Sequence, residues 1–408
     1  MIPDSLPIRA APTEARRRTI AQLREQYETE LFEHVLPFWT NYTPDDVHGG
    51  YYNCLDRDGS CYDSTKYSWL QGRQVWMLST LYRDVTPRDD WLALAQTGLS
   101  FLRDHALRPN GQVFFSLTED GAPIYQQRKI FSECFYIMGL AGYAHATGRE
   151  DLLSEAQDHF AQLWAWSQDL SQVGRPRHAG QPEARSLAIP MILLNLIEVI
   201  TDGDLSLYPS EIDACLDRIQ NHIDPDSEQV YETVRPDGSR IDSAEGRLLN
   251  PGHAIEAGWF IQHWAQRLER PALAHQATQM VRWSHTNGWD EEHGGLFYFL
   301  DADGYSPTQL EWFMKLWWPH CEALYAHLLN YALTGVEHDW TTFIAVHDYT
   351  FSHFPDPEYG AWFGYLNRDG TVTHRYKGAP YKGCFHVPRA LWLCSVLLHR
   401  LESTDHSG

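Results

Sequence analysis

Apolar residues recur at three- and four-residue spacing along most of the chain, in runs long enough for helices. The spacing predicts helices over 13–39, 66–83, 88–107, 129–147, 150–169, 190–202, 209–223, 251–268, 271–287, 319–334, 338–354 and 388–402. Between them lie short aromatic segments of alternating pattern that end at Asp-Gly, the dipeptide that suits a tight turn. HGGYYNCLDRDG (48–59), NGQVFFSLTEDG (110–121), EQVYETVRPDG (228–238), HGGLFYFLDADG (293–304) and EYGAWFGYLNRDG (358–370) are each predicted as a β-hairpin.

These segments form a repeat. Their closing glycines, Gly59, Gly121, Gly238, Gly304 and Gly370, stand 62, 117, 66 and 66 residues apart, and the long interval is about two periods with one hairpin missing near RPRHAGQPEARS (175–186). Pro190, Pro251, Pro319 and Pro388, spaced 61, 68 and 69 residues apart, each stand just ahead of an apolar run, where proline suits a first helical position. Six connections with two helices in each interval predict an all-α fold. It is an (α/α)6 barrel of about twelve helices with short β-hairpin connections. The barrel is read as one catalytic domain over residues 1–408 with short flexible termini.

Composition narrows the function. The 408 residues are 43% hydrophobic and 13% aromatic, with 16 Trp and 21 Tyr, enough for a large core and for apolar ring faces against a sugar. A formal net charge of −22 argues against a nucleic-acid or anionic-membrane partner, both held mainly by clustered Lys and Arg. Seven cysteines without a Cys-x-x-Cys pair fit a reducing cytoplasm, and neither a signal-peptide stretch nor a membrane span is visible.

In such a barrel, chemistry is expected where the inner helices start. The polar residues within apolar helices are Arg73, Glu133, Asn195 (beside Met191), His253, Glu256, Glu322, His386 and Arg389. Asn250 is a plausible N-cap and Pro251 the first helical residue, which puts His253 in the first turn, three residues before Glu256 and on the same face. The helix start disfavours an imidazolium there and Glu256 favours it, so spacing alone leaves the sign of the shift open. Arg73, between Trp69 and Trp76, suits a structural ion pair as well as an anion-stabilising role, and at least one of Trp317 and Trp318 is core. The segment GRPRHAGQPEAR gathers Arg175, Arg177, His178 and Arg185, which suits either an anion site or a salt-bridged loop. No metal site is predicted, because no His-Glu-x-x-His or Cys-rich spacing occurs.

The segments KYSWLQGRQVWMLSTLY, NPGHAIEAGWF, KLWWPHCEALYA and YKGCFHVPRALW give the chain its resemblance to the N-acylglucosamine 2-epimerases, the family that includes the renin-binding proteins, over about residues 20–400. The resemblance implies a cytoplasmic homodimer of the sialic acid pathway that interconverts N-acetyl-D-glucosamine and N-acetyl-D-mannosamine. It also implies ATP as an allosteric activator that is not consumed, for which the Arg175, Arg177, His178 and Arg185 segment is the candidate site. The implied catalytic residues are His253, His386, Arg73, Glu256 and Arg389, with Glu256 orienting His253. Glu322, Trp69, Trp259, Trp318, Asn195 and Met191 are the implied substrate-binding set. Related mannose isomerases and cellobiose epimerases carry a further histidine at the position that aligns with Met191, which sets this chain nearer the acylated-hexosamine branch. In an open-chain sugar the C1 carbonyl acidifies the C2 proton, and inversion needs one base on each face, a task for two histidines near neutral pH.

Three rival readings stay open on the residues alone. The first is an isomerase or 2-epimerase of unacylated sugars. The second is a glycoside hydrolase using two of Glu133, Glu256 and Glu322. The third is a protein-binding module.

Overall fold

The computed structural model describes residues 2–3, 6–176, 178–181 and 183–403. The predicted first helix is a rod with a π-helical interruption: α1 (Glu14–Thr29), a π segment (Glu30–Val35) and α2 (Leu36–Tyr42). The others follow as α3 (Ser68–Asp84), α4 (Asp89–His105), α5 (Phe131–Thr147), α6 (Glu150–Gln168), α7 (Ala188–Thr201), α8 (Pro209–Gln220), α9 (Pro251–Arg267), α10 (Pro271–Gly288), α11 (Trp317–Thr334), α12 (Glu337–His353) and α13 (His386–Glu402). Among the described residues this makes twelve rods.

Burial sorts the rods into two layers. Every residue of α11 from Trp317 to Leu333 is buried, as is most of α3, α5, α7, α9 and α13. By contrast α4 buries only a stripe, Trp91, Ala95, Gly98, Leu99, Phe101 and Leu102, the mark of a helix with one face in water. The six buried helices pack in sequence against one another, and Phe385, just ahead of α13, meets Trp76 of α3 with ring centroids 5.4 Å apart and closes the ring. The outer rods α4, α6, α8, α10 and α12 each pack on the inner helix that precedes them, and α1 packs on α13. The closest inner pair is α3 and α5: a Cβ on Gly72 would lie 2.1 Å from the carbonyl oxygen of Phe135, so only glycine permits that approach.

The helix starts differ slightly from expectation. Pro251 is the first residue of α9, but Pro190, Pro319 and Pro388 are each the third residue of their helices. The first four N–H groups of a helix have no partner within it, so a proline at the third position forfeits nothing. This places His386 inside α13 as its first residue.

The connections correct the hairpin expectation more substantially. All five Asp-Gly steps are tight turns with glycine φ between +82° and +90°. Only the first two close a hairpin of named strands, Cys54–Leu55 with Cys61–Asp63 and Ser116–Leu117 with Pro123–Tyr125. Elsewhere the strand before an inner helix pairs with the next connection: Arg185–Ser186 with Thr233–Val234, Leu248–Leu249 with Leu300–Asp301, and Lys315–Leu316 with Tyr365–Leu366. Lys66–Tyr67 pairs with Ser116–Leu117 in the same way. The segment thought to lack its strand therefore has one, with its partner in the following connection. These ribbons lie at the starts of the inner helices, so all of those starts share one end of the barrel.

Buried lysines anchor the ribbons. Lys66 donates to Asp45 at 2.6 Å and sits 4.4 Å from the Phe101 ring centroid. Lys315 pairs with Asp290 at 3.0 Å beside Phe297, and Lys377 with Asp356 at 2.8 Å beside Phe363. Burial pulls the ammonium groups of Lys315 and Lys377 down to about 8, although their aspartates act in the other direction. At the opposite end, Arg9 and Ala10 donate backbone N–H groups to the carbonyl of Ala332, and Arg400 donates to that of Pro3, so the N-terminal segment straps α11 and α13.

Removing one partner of a buried pair strands the other charge. Lys66→Met is expected to lower stability in urea unfolding by about 3–5 kcal/mol. Adding Asp45→Asn should recover much of the loss, and a wild-type midpoint for the single variant would contradict this role for the pair.

Candidate active site

The ribbon end of the barrel gathers an ionisable cluster. Asn250 Oδ1 accepts the backbone N–H of His253 at 3.2 Å, so the cap fixes this histidine in the first turn of α9. Side chains in a helix lean toward its N-terminus. His253 accordingly reaches back to the ribbon, where its Nδ1 lies 2.9 Å from Oε2 of Glu232. Glu256, one turn further on, bonds instead to Arg389 at 2.6 Å. The expected orienting pair Glu256–His253 is thus replaced by Glu232–His253.

His386 has its own carboxylate, Glu322 of α11, 2.7 Å from its Nδ1. The same Glu322 oxygen accepts Arg389 Nη2 at 2.7 Å, and its other oxygen accepts the indole N–H of Trp259 at 2.8 Å. Trp259 is fully buried, so this tryptophan, expected at the substrate, holds Glu322 in place. Both histidines contact Trp318, whose ring centroid is 5.3 Å from that of His253 and 5.9 Å from that of His386.

Arg73 lies against Trp69, Phe135 and Phe385, with its guanidinium carbon 4.5, 4.1 and 4.8 Å from their ring centroids. Burial lowers it to about 9, with Glu256 and Glu322 opposing that and Arg389 adding to it. Among the described residues its Nε is buried without a hydrogen-bond partner, as is Nη1 of Arg389. Unpaired buried donors beside a cluster of ring faces suit a ligand oxygen that bears developing negative charge.

The two histidines are electrostatically unequal. Burial works against a charge on His253, but the charge and hydrogen bond of Glu232, with Glu256 behind them, hold its imidazole above the usual value. Burial pushes His386 well below that value, and the guanidinium groups of Arg389 and Arg73 push the same way. One histidine is thereby disposed to hold a proton and the other to accept one.

Other predicted residues lie outside this network. Met191 and Asn195 are one turn apart and buried on α7, and no hydrogen bond joins Asn195 to the cluster. Glu133 accepts the backbone N–H of Val113 at 2.9 Å, and burial raises it to about 7, so it anchors a connection. Arg175, His178 and Arg185 are exposed on the α6–α7 connection, and Arg177 lies outside the described residues. Glu256, Glu322 and His386 bring donor atoms within 4.8 Å of one another, as a metal would need, but Arg389 already places a cation on both carboxylates.

A family model for N-acylglucosamine 2-epimerase matches residues 50–389. The chain belongs to the N-acylglucosamine 2-epimerase family. Within curated proteins it is 45% identical over 399 residues to the N-acylglucosamine 2-epimerase of Bos taurus, covering 96% of this chain and 94% of the relative. It is 44% identical to that of Homo sapiens, covering 96% and 93%. The barrel is shared with the solved cellobiose 2-epimerase of Spirochaeta thermophila, at a TM-score of 0.80 and 21% identity, covering 96% of this chain and all of that one. Membership makes the chain a sugar epimerase, and no helix among its described residues is long and apolar enough to cross a membrane.

Sequence reasoning missed Glu232 and Phe385. Glu232 had a visible signal, being an acidic residue inside the alternating aromatic segment EQVYETV, and Phe385 immediately precedes His386. Gly252 is also informative, since a Cβ there would meet the indole of Trp318 at 2.5 Å. Gly252→Ala is expected to cost about 1–3 kcal/mol in chemical denaturation through overpacking. In a Trp318→Leu background the same change should cost much less, whereas equal costs would show that Trp318 is not the obstacle.

Proposed function

We propose that the protein interconverts N-acetyl-D-glucosamine and N-acetyl-D-mannosamine by moving the proton on C2 of the open-chain sugar. The observation that carries this reading is the pair His253 and His386, each on its own carboxylate and both against the Trp318 ring. One imidazole takes the C2 proton, and the electron pair of the broken C–H bond passes toward the C1 oxygen as an enolate. The other imidazole returns a proton to the opposite face of C2, and the C1 carbonyl re-forms. Arg73, which shares the Phe385 ring with Arg389, stabilises the enolate oxygen. Glu256 and Glu322 position Arg389 and His386. Their shared guanidinium disfavours the glycosidase reading, which needs two carboxylates presented across a scissile bond.

The same reading takes ATP as an effector that is not consumed, bound by the exposed Arg175, His178 and Arg185. What supports this is that none of the three is ion-paired among the described residues of a chain with formal net charge −22. A homodimer is the assembly that goes with it, and a sedimentation mass near twice 47.1 kDa is expected.

Incubation with N-acetyl-D-mannosamine in deuterated water, with and without ATP, is expected to give N-acetyl-D-glucosamine labelled at C2 in proton NMR spectra. His253→Asn and His386→Asn should each lower the rate by at least about 100-fold. Absence of exchange from either epimer would remove the acylated-hexosamine assignment. Turnover of mannose, glucose or cellobiose in its place would establish a sugar-specificity of the unacylated type.

A further inference from the structure

Glu232 lies outside every inner helix, yet its backbone is held at two points. Its N–H donates to Leu248 at 3.0 Å, and its carbonyl accepts from Leu187 at 2.9 Å. It therefore bridges the approaches to α7 and α9. One carboxylate oxygen accepts the Ser186 hydroxyl at 3.2 Å, and the other faces Nδ1 of His253 at 2.9 Å. No lysine or arginine is paired with it among the described residues.

The second carboxylate–histidine pair is built differently. Glu322 shares its Oε1 between His386 and Arg389, and Arg389 Nη2 stands 3.4 Å from the His386 ring nitrogen itself. Much of the negative charge of Glu322 is thus matched by a guanidinium, and a proton on His386 would face Arg389 and Arg73. His253 faces Glu232, Glu256 and the second histidine, so carboxylates outnumber cations around it.

We propose that Glu232 is a positioning residue that makes the two histidines unequal, fixing His253 as the proton donor of the resting enzyme while His386 rests as the neutral acceptor. The inference rests on the epimerase reading. The Nδ1–H of His253 donates to Glu232, which leaves Nε2 to carry the proton that is transferred. A turnover begun in this state leaves His386 protonated and His253 neutral. The enzyme then exchanges one proton with water at each histidine to return to rest. Turnover from the other epimer starts from the inverted state, which Glu232 makes the rarer one.

The test compares wild type, Glu232→Gln and Glu232→Asp. The imidazole signals of His253 and His386 are assigned in NMR spectra through the His253→Asn and His386→Asn variants and followed with pH in the absence of sugar. In Glu232→Gln the His253 titration is expected to fall by one pH unit or more, with His386 moving little and Glu232→Asp recovering part of the shift. In turnover, the alkaline limb of kcat/KM should move to lower pH by a similar amount in both directions, as the fixed equilibrium constant requires. kcat should fall at least ten-fold, with a smaller change in KM. An unchanged His253 titration in a folded Glu232→Gln variant overturns the proposal, as does a rate loss uniform in pH. Absence of C2 exchange in wild type would instead remove the epimerase reading, while the titration still reports on Glu232.

Discussion

The guanidinium of Arg389 is the contact on which the candidate site depends. It is 1% exposed, and a charge so far from water costs several kcal/mol unless it is paired. Its partners come from two other inner helices, Glu256 of α9 and Glu322 of α11, so the ion group ties the last helix to two earlier ones across the ring. Losing either carboxylate would leave uncompensated charge, which is why one arrangement of α9, α11 and α13 is favoured. The position of Glu322 then fixes His386, and Trp259 fixes the other oxygen of Glu322.

A barrel of apolar helices could slip or rotate its members at modest cost, since apolar contacts are non-directional. The buried polar groups oppose this at three levels along the axis. At the ribbons, Lys66, Lys315 and Lys377 each hold an aspartate from a preceding turn. One level in stands the Arg389 cluster. Further along α7, α9 and α11, Glu198 binds His263 and Arg267, and His263 reaches the hydroxyl of Tyr325 at 2.8 Å. Charge pairs need specific geometry where apolar contacts do not, so these levels set the register that places the two histidines beside Trp318.

Helix periodicity was legible because inner and outer helices both carry strong three- and four-residue spacing, and the Asp-Gly turns marked the period. Strand partners were not legible. A hairpin and a ribbon between neighbouring connections present the same alternating pattern, and only the closed ring decides between them. The polar residues of the site were found because a charge inside an apolar helix stands out, but their pairing was misjudged for Glu256. Spacing of three along a helix shows that two side chains can meet, yet it carries no information about a guanidinium arriving from another helix. Glu232 escaped for a related reason, since it belongs to a connection and reaches the site only through the lean of His253 toward its own helix start.

The site can be traced to the repeat. Lys66, Trp69 and Arg73 have the same spacing as Lys315, Trp318 and Glu322, and as Lys382, Phe385 and Arg389: a buried lysine, an aromatic ring three residues on, and a charged residue four beyond it. Arg73, Glu322 and Arg389 are thus one repeat position filled with different charges. Glu256 joins them on α9, where Leu249 and Gly252 stand in place of the lysine and the ring. The missing ring has a physical reason, because Trp318 fills the space against Gly252. His253 and His386 each follow the ring position directly, as first-turn residues of α9 and α13. A repeat alone would give both the same surroundings. Glu232 beside one and Arg389 beside the other break that equivalence, and an acid and a base at one site require such a difference.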